Sequence, residues 1–138
     1  PDVRAVISVN KGLVTQASAA IPVVPLYFAI LYKVMKRAGN HENCIQQIAR
    51  LFTQKLYTPE GFRTDENGFI RMDDYELLPE IQEEVKKCWK AVTTDTVNQY
   101  CDIDGYWEDF YHMFGFHYSD IDYTQDVDAN VEINGIVM

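Results

Sequence analysis

Basic residues are scarce in this sequence, which has 12 lysines and arginines against 21 aspartates and glutamates and a formal net charge of −9. A protein that binds nucleic acid needs a stripe of cationic side chains to neutralise phosphates. The only basic cluster is the short group formed by Lys33, Lys36 and Arg37. We therefore expect no nucleic-acid partner.

Cysteine is also rare, with only Cys44, Cys88 and Cys101, and no two of them form a Cys-x-x-Cys motif. An odd number of widely spaced cysteines argues against a disulfide framework and indicates a reducing compartment. No cysteine–histidine pair has the spacing usual for zinc, and no acidic run has both the glycine and the bidentate glutamate of an EF-hand. We predict a cytoplasmic protein, or an organellar one if the source is eukaryotic, without a metal site.

Charged residues are absent from Gly12 to Tyr32, a stretch of 21 residues that is long enough for a membrane span. Pro22 lies near its middle, where it would break the hydrogen bonds of a spanning helix. The stretch is better explained as a loop followed by a buried helix over residues 25–38 that ends at Gly39. We expect no stable membrane insertion.

Glycine is not abundant either, and none of the seven glycines belongs to a Gly-x-Gly-x-x-Gly turn. This chain alone therefore lacks the usual device for binding a dinucleotide. Tyr32 and Lys36 stand four residues apart on one predicted helix face, where a proton-donating tyrosine and a lysine would be close enough to act together. Tyrosine and lysine often have this spacing in ordinary helices, so the pair is weak evidence for catalysis.

Apolar residues make up 47% of the chain, which is enough for a packed core. The β-branched run over residues 4–9 predicts a strand that is buried on at least one face. Asn67-Gly68 between apolar residues predicts a small hairpin near 57–72. The rest is predicted to be mainly helical, so the predicted fold class is α/β, in a single unit over 1–138.

Four helices are predicted downstream of Gly39. Asn40 is expected to cap a helix over 41–57, and Pro79 is expected to begin the next one. Thr94 is expected to cap a short helix, and an aromatic helix over 106–114 is expected to end at Gly115. The apolar faces of the first two helices consist of Ile45, Ile48, Phe52 and Leu56, and of Ile81, Val85, Cys88, Trp89 and Val92.

These patterns predict an acidic α/β segment and no particular function. One stretch of the sequence is more specific. Residues 9–22 read Val-Asn-Lys-Gly-Leu-Val-Thr-Gln-Ala-Ser-Ala-Ala-Ile-Pro and resemble the carboxy-terminal part of the trans-2-enoyl-CoA / enoyl-acyl-carrier-protein reductase family. The likeness covers nearly the whole chain in order, and only about the last dozen residues look unlike the family. It continues in Pro25-Leu26-Tyr27, Lys33-Val34-Met35-Lys36, His41-Glu42-Asn43-Cys44-Ile45, Ile70-Arg71-Met72-Asp73-Asp74 and Gly105-Tyr106.

The resemblance implies a Rossmann-like fold related to the short-chain dehydrogenases, of which this chain is the last third: a late sheet strand, a cofactor and substrate loop, and acyl-pocket helices. It implies NADH-dependent reduction of the C2=C3 bond of a trans-2-enoyl-CoA or enoyl-ACP thioester in fatty acid synthesis. The family's dinucleotide-binding glycines and its catalytic tyrosine and lysine lie upstream of the matched part. The segment is thus expected to hold no catalytic residue, to be inactive alone, and to need the remainder of the reductase chain.

The resemblance also assigns site residues. The residues that it implies for NADH binding, near the nicotinamide end, are Leu13, Val14 and Thr15. Those that it implies for the acyl pocket of the substrate are Val24, Tyr32 and Tyr106. Without the resemblance, the first three are ordinary loop residues and each of the others is equally an ordinary core residue. The alternative function is a helical binding or scaffold module that docks a partner through its aromatic face.

Overall fold

A computed structural model describes residues 5–126 of the chain. The described part contains two short strands, six α-helices and one π-helical segment. In chain order these are β1 (Ile7–Val9), α1 (Gln16–Ala20), α2 (Val24–Ala38), α3 (Cys44–Arg50), the π-helical segment Leu51–Leu56, β2 (Phe69–Arg71), α4 (Pro79–Ala91), α5 (Val97–Tyr100) and α6 (Ile103–Met113). None of the described helices is both long enough and apolar enough to cross a membrane.

The two strands form a parallel pair in which Ser8 lies opposite Ile70. The predicted hairpin is therefore wrong, although Asn67-Gly68 does form a turn, with Gly68 in the left-handed region at φ 82°. The carboxylate of Asp65 accepts hydrogen bonds from the amides of Asn67 and Phe69, and these bonds stabilise the turn. Residues 57–64, which contain Pro59, are not a strand, so β2 pairs with β1 instead.

Strand β1 is less buried than the sequence predicts. Ile7 is exposed, while Ser8 and Val9 are only half-buried. A parallel sheet needs helices or further strands on both faces to bury its residues. The described residues supply only one neighbouring strand, so the prediction that one face of β1 is buried is wrong for this chain by itself.

Helix α2 is the centre of the core. It begins next to Pro25 and ends at Gly39, whose φ of 75° closes the helix, in agreement with the sequence prediction. Its buried residues include Ile30, Leu31, Tyr32 and Met35, and it packs against α4 and α6. This long apolar helix, packed against two others, forms the centre of the core.

Helix α4 begins at Pro79 as predicted and buries Ile81, Val85 and Cys88 against α2. Trp89 was predicted to belong to the same stripe, but its side chain is 39% exposed. Successive residues on a helix point about 100° apart, so Trp89 lies to the side of the contact that Cys88 makes.

The predicted helix over 41–57 differs in its start and in its buried face. Asn43, rather than Asn40, caps it: the Asn43 side chain accepts a hydrogen bond from the Gln46 amide at 2.9 Å. The side chains buried in α3 are Gln47 and Arg50, because they find polar partners in neighbouring segments. The predicted apolar face is largely exposed, since Ile45, Ile48 and Phe52 are 53%, 46% and 46% exposed.

The last two helices are attached to α2 by its lysines. Lys33 donates to the carbonyls of Asn98 and Cys101, and Lys36 forms an ion pair of 2.6 Å with Asp102, the residue that caps α6. Thr94 does not cap α5 as predicted, because Thr96 precedes that helix. Helix α6 is followed by Gly115 at φ 81°, as predicted, while residues 127–138, the part that looks unlike the family, lie outside the described residues.

Candidate functional site

The loop over residues 10–15, which follows β1, is held by side chains rather than by other backbone groups. The Lys11 amide donates to Gln47 Oε1 at 3.1 Å, and the Gly12 amide donates to Glu76 Oε2 at 2.6 Å. The Val14 amide donates to the hydroxyl of Tyr32 at 3.2 Å. Three side chains from three different segments therefore determine the position of this loop.

Gly12 is required by a close approach between this loop and α2. A β-carbon at Gly12 would lie 2.5 Å from the ring of Phe28, which is closer than any real contact. The loop is thus in direct contact with the central helix on one side, and Glu76 holds it on the other.

The three residues predicted to bind the cofactor differ in their surroundings. Val14 is buried, Leu13 is half-buried, and Thr15 is exposed. Thr15 caps α1, and its hydroxyl accepts a hydrogen bond from the Ser18 amide at 3.0 Å. A hydroxyl that accepts in this way still has its own proton to donate. No described residue donates to the Val14 carbonyl, and the exposed Thr15 hydroxyl still has a proton to donate to an amide or a ribose oxygen.

The three residues predicted to bind the substrate lie in or against one apolar cluster. Tyr32 and Tyr106 belong to it, and Val24 packs against it. Tyr32 is fully buried, and its hydroxyl, besides accepting from Val14, donates to the Gly12 carbonyl at 3.4 Å. The Tyr106 hydroxyl is buried and has no hydrogen-bond partner among the described residues. None of the three lines a cavity described in the structure.

Polar side chains from three other segments lie next to Tyr32, and sequence reasoning missed them. The Lys11 ammonium lies 4.5 Å from the centre of the Tyr32 ring, and the His41 ring centre lies 4.6 Å from it. His41 Nε2 is 3.4 Å from an oxygen of Asp109. Burial raises the pKa of the Tyr32 hydroxyl far above its usual value, and the charge of Asp109 adds to this effect. No local pattern signals such a group, because its members come from three separate segments.

A second polar group lies at the buried side of α3. Arg50 Nε donates to both carboxylate oxygens of Glu42, at 2.8 and 2.9 Å. Its terminal nitrogens reach Asp74 and the carbonyl of Met72, and its guanidinium lies 4.1 Å over the ring of Tyr75. The cavity next to it, of about 660 Å³, is lined mostly by charged and polar residues. These contacts join α3 to the segment after β2.

Comparison with known families places the chain among the enoyl reductases. Residues 1–57 match the model described as the trans-2-enoyl-CoA reductase catalytic region. Residues 64–127 match the model described as the enoyl reductase FAD binding domain. The first match contains the whole loop over residues 10–15.

Curated relatives agree with the family models. An enoyl-[acyl-carrier-protein] reductase [NADH] of Cytophaga hutchinsonii is 51% identical over 134 residues, which is 97% of this chain and 34% of the relative. The protein of the same name from Coxiella burnetii is 50% identical over 98% of this chain and 33% of the relative. The chain thus spans about a third of the length of the curated relatives that it matches.

Solved structures show the same relationship. The trans-2-enoyl-CoA reductase of Clostridium acetobutulicum in complex with NAD has a TM-score of 0.79 and 48% identity, over 91% of this chain and 32% of the solved chain. That of Treponema denticola, also in complex with NAD, has a TM-score of 0.79 and 48% identity over 90% of this chain. The chain belongs to the trans-2-enoyl-CoA / enoyl-acyl-carrier-protein reductase family. The predicted family and fold class are confirmed.

The flavin named in one family model does not fit the residues that the structure describes between 64 and 126. The diphosphate of FAD is usually bound at a helix N-terminus with free amides or at a glycine-rich turn. Helix α4 has Glu80 in its first turn, and α6 has Asp104 there and is capped by Asp102. These carboxylates would repel a diphosphate, so we assign no role to a flavin in this part of the chain.

Proposed function

We propose that this chain is part of an NADH-dependent reductase that reduces the C2=C3 bond of trans-2-enoyl thioesters, carried by CoA or by acyl carrier protein, in fatty acid synthesis. The observation that carries the proposal is sequence identity. Over nearly the whole chain, about half of the residues are identical to those of proteins named enoyl-[acyl-carrier-protein] reductase [NADH]. The solved neighbours hold NAD, which supports NADH as the cofactor.

NADH supplies the hydride in such a reaction, and the proposed role of this chain is to orient the cofactor. The Val14 carbonyl can accept a hydrogen bond from the carboxamide, and the Thr15 hydroxyl can donate one to the cofactor. Leu13 supplies apolar contact beside them. What supports this assignment is that the loop is exposed at Thr15 and held firmly at Gly12 and Val14.

For the substrate, the proposed wall of the acyl pocket consists of Val24, Tyr32 and Tyr106. Two observations support this proposal: the three residues share one apolar cluster, and the Tyr106 hydroxyl has no partner in the part of the chain that the structure describes. Tyr32 has a second use, because its hydroxyl is already engaged with the loop that we assign to the cofactor. A substitution at Tyr32 is therefore expected to affect the binding of both the cofactor and the acyl chain. Val24, by contrast, lies outside the fully buried core and does not contact the loop through a hydrogen bond.

The remainder of the reductase chain is the proposed partner of the exposed apolar residues. Ile45, Ile48 and Phe52 lie on one side of α3 and its π-helical extension, and Ile7 is exposed on β1. Apolar residues that are exposed next to one another commonly mark an interface. A cytoplasmic location is proposed because all three cysteines are unpaired.

The test of the proposed function compares the complete reductase with the 138-residue segment. We expect the complete protein to oxidise NADH in the presence of crotonyl-CoA and the segment alone to show no turnover, because the segment lacks a dinucleotide-binding turn. The readout is the decrease in NADH absorbance. A complete protein that leaves crotonyl-CoA unreduced contradicts the proposed function, and turnover by the segment contradicts the assignment of catalysis to the rest of the chain.

Thr15→Val is expected to raise the KM for NADH of the complete reductase without abolishing the reaction. The change keeps the shape of the side chain and removes one hydroxyl, which contributes about 0.5–1.5 kcal/mol, or about two- to tenfold in KM. Thr15→Ser is the matched control, because it retains the hydroxyl that caps α1. Equal KM values for the valine and serine variants would show that the hydroxyl does not serve the cofactor.

A further inference from the structure

The carboxylate of Glu76 lies in the segment between β2 and α4 and is buried. Both of its oxygens accept hydrogen bonds from distant parts of the chain. Oε2 accepts from the Gly12 amide at 2.6 Å, and Oε1 accepts from the hydroxyl of Tyr27 in α2 at 2.7 Å. The carbonyl of the same residue accepts from the side chain of Gln82 in α4 at 2.8 Å, which holds Glu76 itself in place.

These contacts determine where the loop over residues 10–15 lies. Gly12 cannot move toward α2, because the Phe28 ring already fills the space that a β-carbon would take. It cannot move away without losing the 2.6 Å hydrogen bond to Glu76, whose side chain is buried. The backbone of Val14 and Thr15 follows two residues later, so a shift at Gly12 would displace both.

The partner of Glu76 in α2 stays a hydrogen-bond donor under all ordinary conditions. Burial, together with the hydrogen bond to Glu76, raises the pKa of Tyr27 to about 12. A protonated hydroxyl and a backbone amide thus face the two carboxylate oxygens, and neither donor has to compete with the other. Sequence reasoning missed Glu76 because a single glutamate before a helix is usually solvated.

We propose that Glu76 is a positioning residue for the cofactor: with Tyr27 it holds the Gly12 amide and so places Val14 and Thr15 against NADH. This inference rests on the proposed function, since it assigns a role to a residue that does not touch the cofactor itself. It predicts that the hydrogen bonds of Glu76, rather than its charge, are what the cofactor site needs.

The experiment uses the complete reductase with four substitutions. Glu76→Leu removes both hydrogen bonds, and Glu76→Asp shortens the side chain so that it cannot reach Gly12 and Tyr27 together. Glu76→Gln keeps the length, and because a tyrosine hydroxyl can also accept, it can retain both contacts without charge. Glu80→Leu is the matched control, because it removes an exposed carboxylate at the start of α4.

We expect the KM for NADH to rise about tenfold in Glu76→Leu and severalfold in Glu76→Asp, with the KM for crotonyl-CoA and kcat changing less. Glu76→Gln is expected to stay within about twofold of the wild type, as is Glu80→Leu. A general loss of folded enzyme would lower the apparent kcat and leave the KM unchanged, so the two effects are distinguishable.

The two proposals fail in different ways. Absence of NADH oxidation by the wild-type protein overturns the proposed function. If the wild type is active and both Glu76→Leu and Glu76→Asp have the KM of the Glu80→Leu control, the positioning role is overturned. If Glu76→Leu does not fold, Glu76→Asp decides by itself. A Glu76→Gln variant as impaired as Glu76→Leu would overturn the claim that hydrogen bonding, and not charge, is required.

Discussion

Replacing Arg50 by leucine is expected to lower the free energy of unfolding by about 3 kcal/mol, because it leaves two carboxylates facing a partly buried space without their cation. The guanidinium is almost fully buried and joins Glu42, Asp74 and the Met72 carbonyl. Asp74 is partly exposed and keeps Lys55 as a second partner, which holds the expected loss at the lower end of the range for buried pairs.

The measurement is urea unfolding of the complete protein, followed by tryptophan fluorescence. Arg50→Lys is expected to recover only part of the loss, because a single ammonium cannot satisfy two carboxylates and a carbonyl from one position. Arg63→Leu is the control, since Arg63 pairs with Glu60 on the surface, where such pairs contribute little. A loss in Arg50→Leu no greater than that in the control would show that these buried contacts are energetically neutral.

The second large effect is a rise in stability with pH that depends on Lys11. Lys11 is 2% exposed, and among the described residues its ammonium makes one hydrogen bond, to the Gly12 carbonyl at 3.3 Å. Burial lowers its pKa from 10.5 to about 8, although Asp109, Glu76, Glu42 and Cys44 favour the charged form. The ammonium also lies over the ring of Tyr32, which in turn contacts the ring of His41.

The direction of the effect follows from the protons bound by each state. Between about pH 8 and pH 10.5 the unfolded chain keeps the Lys11 proton while the folded chain has lost it. The unfolded state therefore binds more protons in this window, and the free energy of unfolding rises with pH. The gain is about 2 kcal/mol between about pH 7.5 and about pH 9.5, and it is lost again as the pH falls through the folded pKa.

Lys11→Met is the variant that isolates this contribution. Burial raises the pKa of the thiols of Cys88 and Cys101, which lowers stability as the pH rises. Those thiols are present in both proteins, so their contribution cancels in the difference between wild type and Lys11→Met. The unfolding free energies of both proteins are measured at the two pH values. A difference that does not change with pH would show that Lys11 keeps its ordinary pKa when folded.

Local sequence signals were sufficient where a glycine or a proline acts through its own backbone. Gly39 and Gly115 end helices because their backbones adopt positive φ, and Pro79 begins one because it needs no amide partner. The helix predicted over 25–38 was correct, because a long apolar run that ends in a glycine is typical of a buried helix. The family was also recognisable from the sequence, since the residues over 9–22 are specific to it.

Tertiary contacts decided the rest. The Asn67-Gly68 turn forms, but which strand β2 pairs with depends on a segment some 60 residues away. Helix α3 turns its polar residues inward because Gln47 and Arg50 find hydrogen-bond partners there, and an apolar repeat cannot reveal such partners.

For the candidate site, the family resemblance carried by the sequence indicated which loop to examine, namely Leu13, Val14 and Thr15 after β1. Only the tertiary structure decided what holds that loop, because Glu76 and Tyr32 reach it from segments 64 and 18 residues away. A hydrogen bond between distant residues depends on where the chain brings them, and no local propensity or spacing encodes that position. The physical reason is that burial removes water as a competing partner, so the folded chain must supply every donor and acceptor itself.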